Sequence, residues 1–108
     1  MAAKLVLLKS GEDIIADVTE MVVGEETERR IVGYFFDKPC IIKLREGEES
    51  PDQKSAYKIS MFPWMPLSAD EKIPVPADWV VTMVEPKDQL RKMYLEDVVG
   101  NGKDSEDS

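Results

Sequence analysis

Histidine is absent from this 108-residue chain, and cysteine occurs once, at Cys40. Histidine is the commonest side chain for general acid–base catalysis and for metal binding, so its absence excludes Ser-His and Cys-His catalysis and the usual zinc sites. A single cysteine cannot form a disulfide within the chain. The remaining carboxylates, lysines, tyrosines and thiol show no spacing typical of a hydrolase. We therefore predict no enzymatic activity, no catalytic residue, no cofactor and no metal site.

Long apolar runs are also absent. Only four apolar residues, 5–8, stand together before Lys9 near the N-terminus, whereas a membrane span needs about 20. We expect no membrane partner and a cytoplasmic location. Fourteen basic residues against 22 acidic residues give a net charge of −8, which opposes attraction of nucleic acid by the whole surface. A polyanionic partner would have to meet a local basic patch.

The length is that of one small domain. Alternating and β-branched segments predict five short strands, at residues 5–8, 14–23, 29–44, 56–61 and 78–84. Around Pro39 the third strand is expected either to bend or to be interrupted by a tight turn, because proline donates no hydrogen bond to a sheet. Alternation places Ile14, Ala16 and Val18 on a buried face.

The connecting segments are less regular. Residues 45–55 contain no apolar side chain and predict a solvated loop, residues 62–67 predict an irregular corner, and residues 73–76 suit an edge strand or a loop. Leu90, Met93, Tyr94 and Val98 lie on one stripe, which predicts a helix that ends at Gly100. The predicted domain spans residues 1–100, and residues 101–108, which have no apolar side chain, predict a disordered acidic tail.

Five strands and one helix in this length favour a strongly bent sheet or barrel, because a flat sheet would leave a face and both edges exposed. SH3-like, OB-like and Sm-like barrels all satisfy the pattern. The periodicity does not distinguish between them.

Three segments resemble the Sm-like family. Residues 8–11, Leu-Lys-Ser-Gly, are similar to the first hairpin of the family. Residues 36–44 resemble its aromatic-Asp segment. Residues 75–81 occupy the position of its second sequence signature, an apolar residue and Arg-Gly before an apolar strand. Residues 62–68, 73–82 and 93–97 further resemble short Sm-like proteins of T4-like phages that infect cyanobacteria and of marine phage metagenomes. The resemblance implies a mainly β fold: a five-stranded, strongly bent antiparallel Sm-like barrel with a C-terminal helix.

The resemblance also implies a cyclic homo-oligomer of about five to seven subunits. In such rings the penultimate barrel strand of one subunit pairs with the last strand of the next, so that no edge strand stays open. The residues expected at the subunit interface are Tyr57, Ile59, Met61, Phe62, Trp64, Trp79 and Val81.

Sm-like rings bind single-stranded, uridine-rich RNA around the pore, so the resemblance implies single-stranded RNA or DNA as a partner. The residues at the corresponding positions are Asp37, Lys38, Cys40, Lys43, Pro76, Ala77 and Asp78. The chain departs from the family where Cys40 and Ile41 replace Met-Asn and where Pro76 and Ala77 replace Arg-Gly. Side chains that hydrogen-bond base edges in the family are therefore missing at these positions.

Two functions remain open. The first is a non-enzymatic ring of phage origin that binds single-stranded nucleic acid or assists RNA processing. The second is a protein-interaction or phage structural module that uses the ring as a scaffold and binds no nucleic acid. Cys40 is expected to be a small buried hydrophobe, and Phe62, Trp64 and Trp79 are more typical of a core or an interface than of stacking platforms.

Overall fold

The computed structural model describes residues 2–46 and 57–100. Within these residues the chain forms six strands followed by a short helix. The strands are β1 (Ala3–Leu8), β2 (Asp13–Val23), β3 (Arg30–Glu46), β4 (Tyr57–Pro63), β5 (Lys72–Pro76) and β6 (Val80–Val84). A 3-10 turn covers Ala77–Trp79, and helix α1 (Asp88–Tyr94) continues as a π-helical turn over Leu95–Val99. The predicted mainly β fold with a C-terminal helix is confirmed.

All strand pairs are antiparallel, and the sheet order is β4-β3-β2-β1-β6. The long strand β3 pairs with β2 on one side. On its other side it pairs first with β5, from Gly33 to Asp37, and then with β4, from Cys40 to Glu46. The bend predicted near Pro39 lies between these two pairings and is confirmed.

Within the described residues the sheet has one strand more than the five expected, because residues 73–76 belong to an additional strand, β5. Pro74 and Pro76 are compatible with this strand because, among the residues that the structure describes, β5 pairs with β3 alone, and proline is tolerated in an edge strand. The predicted strand over residues 78–84 is shorter than expected, because residues 77–79 form the 3-10 turn.

One core cluster lies on a single face of the sheet. It contains Val6, Leu8, Ile14, Ala16, Val18, Phe36 and Val75, with Tyr34, Ile41, Trp64, Val80 and Met83 packed against it. The predicted inward set of Ile14, Ala16 and Val18 is confirmed. The period of two in an extended strand assigns these residues to one face.

A second cluster lies on the opposite face, where the helix covers the sheet. Leu90 and Tyr94 pack there with Ala3, Ile15 and Cys40. Asp88 in the first turn of α1, with Arg91 and Lys92 in its last turn, complements the helix dipole. The predicted apolar stripe of the helix is confirmed, since Leu90 and Tyr94 are buried and Val98 packs beside them.

Glu85 connects the helix to the sheet through ion pairs with Lys4 and Arg91. The hydrogen bonds from Lys4 and Arg91 lower the pKa of the Glu85 carboxyl. Because the Glu85 carboxylate is exposed to solvent, these two ion pairs orient the helix more than they stabilise the fold.

Gly100 is the C-cap of the last helical turn, Leu95–Val99, as predicted. Two other sequence-based boundaries need correction. Phe62 and Pro63, predicted in the irregular corner, belong to β4. Arg45 belongs to β3 instead of the predicted loop, because its pairing with β4 outweighs its polar sequence. Glu46 of that loop also belongs to β3. The rest of the loop, residues 47–55, lies outside the described residues, as do Ala56 of the predicted fourth strand and the predicted tail, residues 101–108.

Candidate functional site

The segment that resembles the family's aromatic-Asp motif forms the bend of β3. Lys38 has a φ of +52°, in the left-handed region that side chains other than glycine adopt at a cost. Two backbone hydrogen bonds fix the bend: Lys38 N donates to Glu71 O at 2.9 Å, and Trp64 N donates to Pro39 O at 2.9 Å. The connection between β4 and β5 therefore holds the bend from one side.

The helix holds the same bend from the other side. The fully buried Tyr94 hydroxyl lies 2.9 Å from Asp37 O and 3.0 Å from Lys38 O, and it shares its proton between these two carbonyl oxygens. Burial raises the pKa of Tyr94 above its usual range, so the hydroxyl stays a donor. The conformation of the candidate site is thus coupled to the docking of the C-terminal helix.

Replacing Tyr94 by Phe removes this hydroxyl and keeps the buried ring. Two partly buried carbonyl oxygens lose their donor, so the free energy of unfolding is expected to fall by about 1–3 kcal/mol in urea denaturation. Tyr34→Phe is the matched control, because the Tyr34 hydroxyl donates no hydrogen bond within the described part of the chain. It should change stability by less than about 0.5 kcal/mol. Equal losses in the two variants would contradict a special role for Tyr94.

Asp37 and Cys40 flank the bend in different environments. Asp37 is half-buried and directly opposite Asp17 of β2, and its Oδ1 atom has no hydrogen-bond partner among the described residues. Cys40 is 5% exposed, and its Sγ atom lies 3.8 Å from Lys38 O. Burial raises the pKa of the Cys40 thiol. The expectation that Cys40 is a small buried hydrophobe is confirmed, and its side chain faces α1 instead of solvent.

The second family-like segment lies away from this bend. Pro76 pairs with Gly33, whereas Asp37 pairs with Lys72 at the other end of β5. Four residues of strand separate the two positions by about 13 Å. Ala77 and Asp78 follow in the 3-10 turn. Within one subunit the structure therefore does not bring the two groups of predicted nucleic-acid-binding residues together.

Lys43 lies beyond the bend, on the hairpin of β3 and β4. Its side chain is exposed, and its Nζ atom is 5.8 Å from the centroid of the Phe62 ring. Sequence reasoning did not select Arg45 and Lys58. Arg45 is two residues from Lys43 along β3, on the same face, and Lys58 is directly opposite Arg45 in the β3–β4 register. Period-two spacing could have linked Lys43 to Arg45, but the register that adds Lys58 is not readable from the sequence.

The residues predicted for the subunit interface fall into three environments. Ile59 and Met61 on β4 are half-buried against the cluster beneath α1. Trp64 is half-buried in the first cluster, with its ring centroid 6.2 Å from that of Phe36. The exposed members are Phe62 at 46%, Trp79 at 42% and Val81 at 58%. For Tyr57 the structure describes the backbone pairing with Glu46, and its side chain lies outside the described atoms.

An open groove of about 590 Å³ runs between β4 and the C-terminal helix. Met61, Met93 and Val98 line it, with Cys40 and Asp97. The groove adjoins the outer edge of the sheet. Its lining suits the packing of an apolar side chain.

Over residues 2–46 and 57–100, no three Cys, Asp or Glu side chains stand close enough together to hold a metal ion. Within the same residues, none of the helices has the length and apolar character that crossing a bilayer requires.

The comparison with known families agrees with this architecture. The model of the Sm-like domain matches residues 5–95, which include β2 to β6, the last four residues of β1, and α1. No curated protein matches the chain in a sequence search. The matched region covers most of the chain and all of the bent sheet except the first two residues of β1. The chain is a member of the Sm-like family.

Proposed function

We propose that this protein forms a closed homo-oligomeric ring that binds single-stranded RNA and acts as a non-enzymatic factor in RNA metabolism. The observation that carries the proposal is that the strands at the two ends of the sheet order, β4 and β6, have no second partner strand among the described residues. In the described chain, β4 and β6 stand at opposite ends of the strand order. Open edges present unpaired backbone groups, and pairing β4 of one subunit with β6 of the next satisfies them around a ring.

The side chains near these edges support the same assembly. Trp79 and Val81 at the β6 edge are both more than 40% exposed. The apolar groove beside β4 can accommodate side chains from the β6 edge of the neighbouring subunit. Because the two edges are different surfaces, their contact is head-to-tail and repeats until the ring closes.

Membership of the Sm-like family supports RNA as the ligand, since proteins of this family generally form rings that bind RNA. The bend at Asp37 and Lys38 corresponds to a position at which the family binds RNA, and Lys38 can offer a positive charge there. The proposal leaves Cys40 out, because its side chain is buried beneath the helix. The resemblance to phage proteins extends the proposal to a ring acting in the cytoplasm of a phage-infected cell.

A scaffold for other proteins is the second candidate function. The tip of the β2–β3 hairpin carries four aliphatic side chains that are at least 36% exposed: Val22, Val23, Ile31 and Val32. Together with the missing Asn and Arg-Gly residues, this apolar tip favours a protein partner. A ring without affinity for nucleic acid would support this alternative.

Two measurements on the wild-type protein test the proposal. Light scattering should give the mass of several subunits. Fluorescence anisotropy should then show binding of labelled oligouridine that weakens as salt rises, because phosphate contacts release counterions. Oligodeoxythymidine serves as the comparison for RNA preference. A monomer would contradict the ring, and a ring without salt-dependent binding at tens of micromolar protein would contradict the RNA function.

A further inference from the structure

Beyond the bend, the hairpin of β3 and β4 has two chemically different faces. Ile42 is opposite Met61, and Leu44 is opposite Ile59. This face carries Ile42, Ile59 and Met61 against the helical cluster. The directly opposed pairs on the other face are Ile41 with Phe62, Lys43 with Ser60, and Arg45 with Lys58.

The second face concentrates positive charge. Lys43, Arg45 and Lys58 are all exposed there, and within residues 41–45 and 58–62 the hairpin contains no acidic residue. Arg45 and Lys58 are directly opposite each other, and like charges in this position destabilise a hairpin. In a chain with a net charge of −8, this face is a local basic patch whose internal repulsion a bound anion would relieve.

An exposed aromatic ring lies at one end of the patch. Phe62 is 46% exposed, and Lys43 Nζ lies 5.8 Å from its ring centroid. From Phe62 to Lys58 the patch extends about 14 Å along β4. Proteins that bind single-stranded nucleic acid usually combine cations along the phosphate backbone with an aromatic side chain on which a base stacks.

We infer that Lys43, Arg45, Lys58 and Phe62 form a nucleic-acid-binding face, in which the three cations contact phosphates and one base stacks on Phe62. The inference rests on the proposed binding of single-stranded nucleic acid and assigns it to a site apart from Asp37–Lys38 and residues 76–78. A duplex keeps its bases stacked inside and offers none to Phe62. An acidic peptide supplies carboxylates without a ring to stack, so a single strand uses all four side chains.

The test compares two triple variants in the full-length chain. Lys43→Gln/Arg45→Gln/Lys58→Gln removes the patch, and Arg29→Gln/Arg30→Gln/Lys87→Gln removes three other exposed charges as a control with the same net charge. The patch variant should bind labelled oligouridine at least tenfold more weakly at low salt. The slope of log affinity against log salt concentration should become less negative by about two, because each of the three lost phosphate contacts contributes about 0.7 to the slope for a single strand.

Folding and assembly are checked separately. The patch variant should keep the wild-type mass in light scattering, and its urea midpoint should equal or exceed the wild-type value, because the repulsion between Arg45 and Lys58 is gone. As an independent readout, photocrosslinking of 4-thiouridine-labelled oligouridine to the wild type should label a peptide of β4 that contains Phe62. This measurement requires no substitution at the subunit edge.

The outcomes separate this inference from the proposed function. If the wild type binds oligouridine and the patch variant binds it as tightly, the inference fails and the proposed function stands. If the wild type binds no oligouridine, both fail. Equal competition by polyglutamate and by oligouridine at the same charge concentration would also overturn the inference, because it would show a site that recognises charge alone.

Discussion

Val81→Lys is expected to convert the ring into single subunits. Val81 is 58% exposed on β6, at one end of the sheet. In the proposed assembly this edge lies against β4 of a neighbour, so a lysine would bury an unpaired charge at every interface. A cost of about 3 kcal/mol per interface raises the dissociation constant more than 100-fold. Light scattering should then report the mass of one chain.

Val22→Lys is the matched control for this experiment. Val22 is 46% exposed, but it lies in β2, an interior strand of the sheet order. The same chemical change should therefore leave the ring mass unaltered. Val22→Lys should unfold in urea close to the wild-type midpoint, whereas Val81→Lys should keep a single cooperative transition at a lower midpoint, because the ring interface no longer stabilises its fold. A ring that persists in Val81→Lys would contradict assembly through the β6 edge.

The parts of the fold that were predictable depend on short-range periodicity. Alternation along β2 assigns Ile14, Ala16 and Val18 to one face, and the helical spacing of Leu90 and Tyr94 identifies a buried stripe. These patterns are visible because one buried surface imposes its period on consecutive residues. The same reasoning does not show which element covers that surface.

The connection between the bend and the helix could not be predicted. Pro39 indicated a bend, but lysine is not a residue that signals a positive φ, and Lys38 adopts one. The carbonyl oxygens of residues 37 and 38 accept from Tyr94 across 57 and 56 positions of sequence. Such a contact depends on how the helix packs, and no local pattern encodes that packing.

Strand register explains most of what the sequence left hidden at the candidate sites. Arg45 lay in a segment that looked like a loop, and only its pairing opposite Lys58 reveals a basic face. Residues 73–76 were ambiguous because proline disfavours a sheet, yet Val75 is 3% exposed in the core. In both cases a long-range pairing outweighs the local composition.

Gly33→Ala is expected to detach β5 from the sheet. A Cβ atom at residue 33 would lie 2.6 Å from Val75 O and 3.5 Å from Pro76 Cα. Neither atom can rotate away, since both belong to the backbone, so β5 must move and Val75 must leave the core. The free energy of unfolding should fall by about 2–3 kcal/mol in urea, with faster amide hydrogen exchange at residues 73 and 75.

Gly11→Ala is the comparison variant. Gly11 has a φ of +89°, but a Cβ atom there meets nothing within 4 Å, so the substitution adds only backbone strain of about 1 kcal/mol. A loss in Gly33→Ala no larger than in Gly11→Ala would contradict the close approach of β3 and β5.

The Gly33 variant also distinguishes the two locations considered for nucleic acid. Moving β5 displaces Pro76 and the following turn, whereas Lys43, Arg45 and Lys58 belong to the β3–β4 pairing on the far side of the bend. Below its urea transition, Gly33→Ala should therefore keep oligouridine affinity within about threefold of the wild type, a difference of about 0.6 kcal/mol. A tenfold or greater loss in a protein that remains folded and assembled would place the RNA against residues 76–78, as the family resemblance implies.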